Sequence, residues 1–379
     1  MSDIVPPRKP AILFVDDEES LLAGLSVALR RQRNIWDMQF VCGGQTAIEL
    51  LQPGRFDAVV SDMQMPGVTG EKLLTAARER CPATVRILLS GQTQYEVLLR
   101  SVRFAHRYLS KPCSAADLRA CLELLLGQAF SMNPATRELV CGIDQLSITP
   151  ATQASLKALL DSPRVDFAAL AAAIEVNAPL AAKVLHVSNA GFCAPPQLVS
   201  SVLQALTVLG MDTVRSIILS MQVREETPLS KQSARHALDT GRLLARMRGE
   251  EGALVCGVLH GLGVQVMAER LGEPYVKFLE RIQADPTLSL EAAEQETFGI
   301  GNARVAAHLL GLWGVMPQIT DAIRQYSAPA VTENTSELAL DLRCACALTG
   351  GSATPISSPR IEANLPQWKA WADEIRALP

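Results

Sequence analysis

At 379 residues the chain exceeds what one typical core organises, which predicts two or three domains. Its 48% hydrophobic content and mean hydropathy of +0.16 exclude a disordered chain, and a net charge of −4 excludes an overall electrostatic pull toward nucleic acid. Nine cysteines without zinc-type spacing point to reduced thiols in a cytoplasm, and neither a signal-peptide core nor an apolar run of the roughly 20 residues that span a bilayer is expected.

The first third alternates short β-type runs with helical periodicity, the pattern of a parallel α/β sheet. Strands are expected at Ala11–Val15, Met38–Val41, Asp57–Asp62, Arg86–Ser90 and Arg107–Ser110. Helices are expected at Ser20–Arg31, Gly44–Leu51, Gly70–Arg80, Gln94–Val102 and Ala115–Phe130. These five βα units predict a doubly wound parallel sheet over residues 1–126. A polar break around Ser131–Arg137 marks a linker, 127–142. Beyond it strand-like runs nearly vanish. Apolar segments with helical spacing follow at Pro150–Asp161, Phe167–Ile174, Ala178–Asn189, Val199–Leu209, Asp212–Gln222, Ser233–Met247, Ala253–Leu271 and Gly301–Leu312. They predict an all-α domain over 143–330, then a helical extension, 331–379, with a Trp-bearing helix at Pro366–Leu378.

Ligands of parallel α/β sheets gather at the carboxyl ends of the strands. Here strand one ends in Asp16-Asp17, strand three in Asp62 and strand four in Ser90, and Lys111-Pro112 follows strand five. Neighbouring strands lie about 5 Å apart, so these side chains converge. Clustered carboxylates call for a hard divalent cation such as Mg2+, and a lysine with a serine suits the oxygens of a phosphoryl group. Each feature alone has a plainer reading, the Asp-Asp as a helix cap and the Lys-Pro as a loop. Their common register at strand ends gives them weight. Through VDDE (Val15–Glu18), SDMQMPGVTG (Ser61–Gly70), LLSG (Leu88–Gly91) and YLSKP (Tyr108–Pro112), residues 9–125 resemble the receiver domain of bacterial two-component response regulators. The resemblance implies a flavodoxin-like fold and phosphorylation of Asp62 by a sensor histidine kinase. It also implies Mg2+ held by Asp16, Asp17, Asp62 and the backbone carbonyl of Gln64, Lys111 on the phosphoryl group, and Ser90 and Tyr108 as switch residues.

The second half poses a different question. ALVCGVLHGLGVQVMAERL (Ala253–Leu271) is almost wholly apolar yet carries His260. No basic recognition helix and no GxxxxGK[ST] loop occurs, so no DNA partner is expected. Asp166–Ser220, Ser233–Ala245, the stretch around His260 and Glu296–Ile323 resemble the HDOD domain, a relative of the HD-family metal-dependent phosphohydrolases. The resemblance puts His236 at a first ligand position and His260 in a His-Asp doublet whose second place is Gly261, while Asn302 and Gln325-Tyr326 stand where further ligands would lie. Two neutral imidazoles without a carboxylate hold a catalytic divalent ion poorly, so a degenerate site is expected. His186 and His308 read as core histidines. Asn177 reads as a helix start, Asn189 with Gly191-Phe192 as a cap and turn or a groove lining, and Arg215 as the partner of a phosphate or of a carboxylate such as Asp212 or Glu175.

The favoured reading is a non-enzymatic, phosphorylation-controlled regulator in which Asp62 switches protein binding by the helical domain. The alternatives are a regulated phosphohydrolase using His236 and His260, or a cyclic-dinucleotide sensor. The Gly-Tyr-Pro signature of the cyclic di-GMP phosphodiesterase branch is missing from the sequence. No membrane partner is expected, and the last receiver helix with Tyr108 is the candidate homodimer face.

Overall fold

A computed structural model of the chain describes residues 8–91, 104–130, 132–143, 146–162, 165–189, 198–225, 228–250, 252–285, 288–328, 330–351 and 358–378. The chain divides into two compact units, one built on Met1–Asp144 and the other on Gln145–Asn189 and Cys193–Pro379.

In the first unit β1 (Ala11–Asp16), β2 (Asp37–Cys42), β3 (Ala58–Asp62), β4 (Val85–Ser90) and β5 (Arg107–Ser110) form one parallel sheet in the order β2-β1-β3-β4-β5. Both β1 and β3 are buried along their whole length, as expected of central strands covered on two faces. The register pairs Val15 with Ser61, Asp62 with Leu89 and Ser90 with Ser110, so the polar strand ends share one edge of the sheet. Helices α1 (Glu19–Ala28), α2 (Gly44–Leu50), α3 (Gly70–Arg80) and α4 (Ala115–Phe130) accompany the strands. The helix expected at Gln94–Val102 lies outside the described residues. Gly70 opens α3 because a Cβ there would lie 2.1 Å from the Asp62 carbonyl oxygen.

Residues 127–142, read as a linker, carry the end of α4 and a further helix, α5 (Pro134–Cys141). Asn133 accepts from the Thr136 amide and Pro134 occupies the first turn, a start signal that the polar composition masked. Arg137 Nη1 donates to Asp57 Oδ1 at 2.8 Å, and Arg8 donates to both oxygens of the same carboxylate. Buried Arg86 of β4 donates to the carbonyls of Phe104 and Cys141, at 2.7 and 2.9 Å.

Among its described residues the second unit is helical apart from a two-residue parallel pair, β6 (Ser147–Ile148) with β7 (Gln222–Val223). Its helices are α6 (Pro150–Leu160), α7 (Phe167–Glu175), α8 (Ala178–Ser188), α9 (Val202–Leu209), α10 (Met211–Ser220), α11 (Pro228–Arg248), α12 (Ala253–Leu259), α13 (Leu262–Leu271), α14 (Glu273–Ala284), α15 (Leu290–Phe298), α16 (Asn302–Leu312), α17 (Pro317–Gln325), α18 (Glu337–Leu348) and α19 (Pro359–Arg376). Every residue of α16 except Arg304 is buried, as are all those of α8 after Ala178. Glycine lets backbones meet: a Cβ on Gly257 would lie 2.4 Å from Gly241 Cα, and one on Gly263 would lie 1.9 Å from the Asn302 carbonyl oxygen.

Two expectations are corrected here. Ala253–Leu271 is long and apolar enough by composition to cross a membrane, but it folds as α12 and α13, with Cys256, Leu259, Leu262 and Met267 fully buried within the unit. The C-terminal helix starts at Pro359 and not at Pro366, because Ser358 caps it by accepting from the Ile361 amide. Arg215 pairs with a carboxylate as expected, that of Asp161 at 3.3 Å, and donates to the Leu160 carbonyl at 2.6 Å.

Candidate functional site

Three of the strand-end residues meet in the first unit. Lys111, just after β5, donates from Nζ to Asp16 Oδ2 at 2.8 Å and forms an ion pair with Asp62 Oδ1. Asp16 and Asp62 are buried, whereas Asp17 is exposed beside them. The Gln64 amide donates to Asp62 Oδ2 at 2.6 Å, which turns the β3 exit around the carboxylate. Burial pushes the Asp62 carboxyl up, against the hydrogen bond and charge of Lys111 that draw it down. Burial lowers the Lys111 ammonium, but the hydrogen bonds and charges of Asp16 and Asp62 outweigh it and hold the group above its ordinary value. Ser90 ends β4 and Tyr108 lies in β5, both buried.

In the second unit His236 of α11 and His260, between α12 and α13, stand edge to face with centroids 5.5 Å apart. His260 is buried and Nδ1 faces the Gly257 carbonyl, so this nitrogen donates and Nε2 carries the lone pair. Burial, then the neighbouring His236, takes His260 down to about 3. Gly261, in the doublet position, has no room for a side chain, since a Cβ would lie 2.6 Å from Ala237 Cβ. Asn302 is held elsewhere: its amide and Nδ2 donate to Glu294 Oε2 at 2.7 and 2.8 Å. Tyr275 donates to the other Glu294 oxygen, and burial raises this carboxyl to about 7. Glu294 and Cys346, whose Sγ is 3.9 Å from His236 Nε2, were missed in sequence because each acts with residues on other helices.

His186 stacks on Trp313 at 4.9 Å and His308 is buried, both core positions as expected. Asn177 caps α8. Asn189 exchanges two hydrogen bonds with the backbone of Val199, at 2.8 and 3.0 Å, and Gly191-Phe192 lies outside the described residues. A cavity of about 710 Å³ opens in the same unit, with Asn177, Lys231, Arg235, Gln265 and Glu269 among its lining.

A parallel sheet with a lysine between carboxylates at its strand ends defines an α/β signalling domain of receiver type, here followed by a helical unit. Comparison with known families matches residues 12–123 to the response regulator receiver domain and residues 146–329 to the HDOD domain, which makes the chain a two-component response regulator with both domains. It is 32% identical over 107 residues to the hydrogenase transcriptional regulatory protein HoxA of Cupriavidus necator, covering 28% of this chain and only 22% of that relative's length. The signal receiver domain of an HD domain-containing protein from Pseudomonas fluorescens is 30% identical and covers 33% of this chain and 100% of its own, with a TM-score of 0.31. A virulence factor from Campylobacter jejuni, 17% identical, covers 65% of this chain and 98% of its own at a TM-score of 0.50, a likeness of fold.

Proposed function

We propose that Asp62 is the phospho-acceptor for a cognate sensor histidine kinase and that its phosphorylation switches protein binding by the HDOD domain. The observation that carries this reading is Lys111 held between Asp16 and Asp62 at the strand ends. A carboxylate oxygen of Asp62 attacks the phosphorus of the phosphohistidine, a P–O bond forms as the P–N bond breaks, and the imidazole leaves. Lys111 then trades one carboxylate for a phosphoryl oxygen.

The donor set is chemically suited to Mg2+: two buried carboxylates, an exposed third and a backbone carbonyl are all hard oxygen donors. Asp16, Asp17, Asp62 and the carbonyl of Gln64 would hold the ion, which when bound offsets the negative charge of the incoming phosphoryl group. Ser90 and Tyr108 are the switch residues of this reading. Ser90 hydrogen-bonds the phosphoryl group and Tyr108 reports the change in packing. Moving such an equilibrium from 1:99 to 99:1 takes about 5.5 kcal/mol of differential interaction.

The HDOD domain acts in this reading by recognition, without hydrolysis. The crowding of Gly261 against Ala237 leaves the doublet without its carboxylate, and Asn302 is committed to Glu294. To test the switch, the full chain is treated with a small phosphoryl donor and Mg2+, or with beryllofluoride. Wild type incorporates one phosphoryl group and changes its protease-cleavage pattern, whereas Asp62→Asn does neither. An Asp62→Asn chain that behaves as wild type overturns the assignment.

A further inference from the structure

The imidazoles of His236 and His260 have a third neighbour from beyond the matched HDOD segment. Cys346 lies on α18, after residue 329 where that match ends. One ligand atom from each of His236, His260 and Cys346 lies within 4.8 Å of the others, and His236 Nε2 is already 3.9 Å from Cys346 Sγ. Tetrahedral zinc holds nitrogen at about 2.0–2.1 Å and sulfur at about 2.3 Å, which sets donors roughly 3.3–3.8 Å apart. Shifts of about an ångström or less close the set.

The surroundings of the three side chains bear on this. His260 donates from Nδ1 to the Gly257 carbonyl, the arrangement that fixes the tautomer of a metal-binding imidazole and leaves Nε2 to the ion. His236 Nε2 faces the Cys346 carbonyl at 3.3 Å and the hydroxyls of Thr349 and Thr240 at 3.2 and 3.5 Å, so without an ion it donates there, and ligation moves its proton to Nδ1. Gly351 borders the cluster where any side chain would intrude: a Cβ there would lie 2.5 Å from Cys346 Sγ and 2.9 Å from His236 Nε2. Glycine at this position puts no side chain against either donor atom.

We propose that His236, His260 and Cys346 bind one thiophilic divalent ion, Zn2+, which clips α18 to α11 and to the α12–α13 break. Two imidazoles and a thiolate suit zinc far better than Mg2+, and the thiolate supplies the anionic ligand that a histidine pair lacks. On binding, the Cys346 thiol releases its proton to solvent and a fourth position falls to water or an incoming donor. Cys346 and His260 are both buried, which suits a structural ion. This inference is independent of the receiver switch.

The test uses the full chain, stripped with a chelator and titrated with Zn2+ against a chromophoric competitor, and with Co2+ followed by absorbance. One equivalent of Zn2+ and a thiolate-to-cobalt charge-transfer band are expected. The oxygen ligands of the receiver give cobalt no such band. Cys346→Ser is expected to abolish the band and weaken zinc binding by about 100-fold or more, and His236→Gln to weaken it comparably. Because either variant could unfold, the wild type is also alkylated with a maleimide with and without Zn2+, and the Cys346 peptide is quantified by mass. Zinc is expected to slow its modification at least about 10-fold. A missing thiolate band, or a Cys346 modification rate that zinc leaves unchanged, overturns the proposal.

Discussion

The two domains treat ionisable groups in opposite ways. At the receiver's strand ends, charge is concentrated: Lys111 bridges Asp16 and Asp62 with Asp17 exposed alongside, where a small charged ligand can reach them. In the helical domain, charge is suppressed. His260 is pushed to about 3 and His308 to about 4, chiefly by burial, while Glu294 is raised to about 7. A sheet edge presents loop amides and solvent to its carboxylates, whereas packed helices offer apolar walls, where a buried group is pushed toward its neutral form unless a countercharge accompanies it. The first environment suits phosphoryl chemistry and the second suits recognition or a buried thiophilic ion.

The contrast can be tested where each domain does keep a buried carboxylate between arginines. Asp57 takes Arg8 and Arg137, and Asp341 takes Arg248 and Arg360. Alanine at either position strands guanidinium groups and is expected to cost about 3 kcal/mol in the unfolding transition of its own domain, read by denaturant titration. A loss in the other domain's transition would break the comparison.

Suppression of charge has a pH signature at Glu294. Its carboxyl rises from 4.5 to about 7 on folding, so the folded state holds the proton more tightly. Its contribution is present in full below pH 4.5 and is lost as pH rises through about 7. The stability difference between wild type and Glu294→Gln should therefore change by on the order of 3 kcal/mol over that window, measured by thermal or denaturant unfolding. A pH-independent difference sinks the claim.

Backbone contact gives smaller effects in both domains. Gly70→Ala in the receiver and Gly263→Ala in the helical domain should each cost about 1–3 kcal/mol, since either Cβ would collide with a carbonyl oxygen. Smallest of all, Lys111→Met removes the hydrogen bond and charge that oppose burial and should raise the Asp62 carboxyl further, followed by carboxyl-carbon NMR titration. A downward shift would mean that the lysine is not the partner that matters.

Legibility in the sequence followed the same divide. The sheet and its strand-end residues could be read locally because each strand is a short apolar run whose last residue is the one that faces the ligand edge. In the second half, the most apolar helices were found, but α14, α15, α17 and α18 were not singled out. They mix charged and apolar residues, as LEAAEQETF of α15 illustrates, and they acquire meaning only through their neighbours. Cys346 shows the limit most clearly. No spacing rule links it to His260, because helix packing brings the two together. Asn133-Pro134 was readable as a helix start, but the polar residues around it suggested a linker.

The Asp57 pairing has a consequence for engineering. Arg8, ahead of the first strand, and Arg137, beyond the last, fasten to one carboxylate, so the receiver's entering and leaving chain segments are clasped together. A receiver excised after Phe130 loses half of this clasp and the Cys141 carbonyl that Arg86 reaches. One excised after Ile143 keeps both. For grafting this input onto a different output, the transferable module is the longer piece.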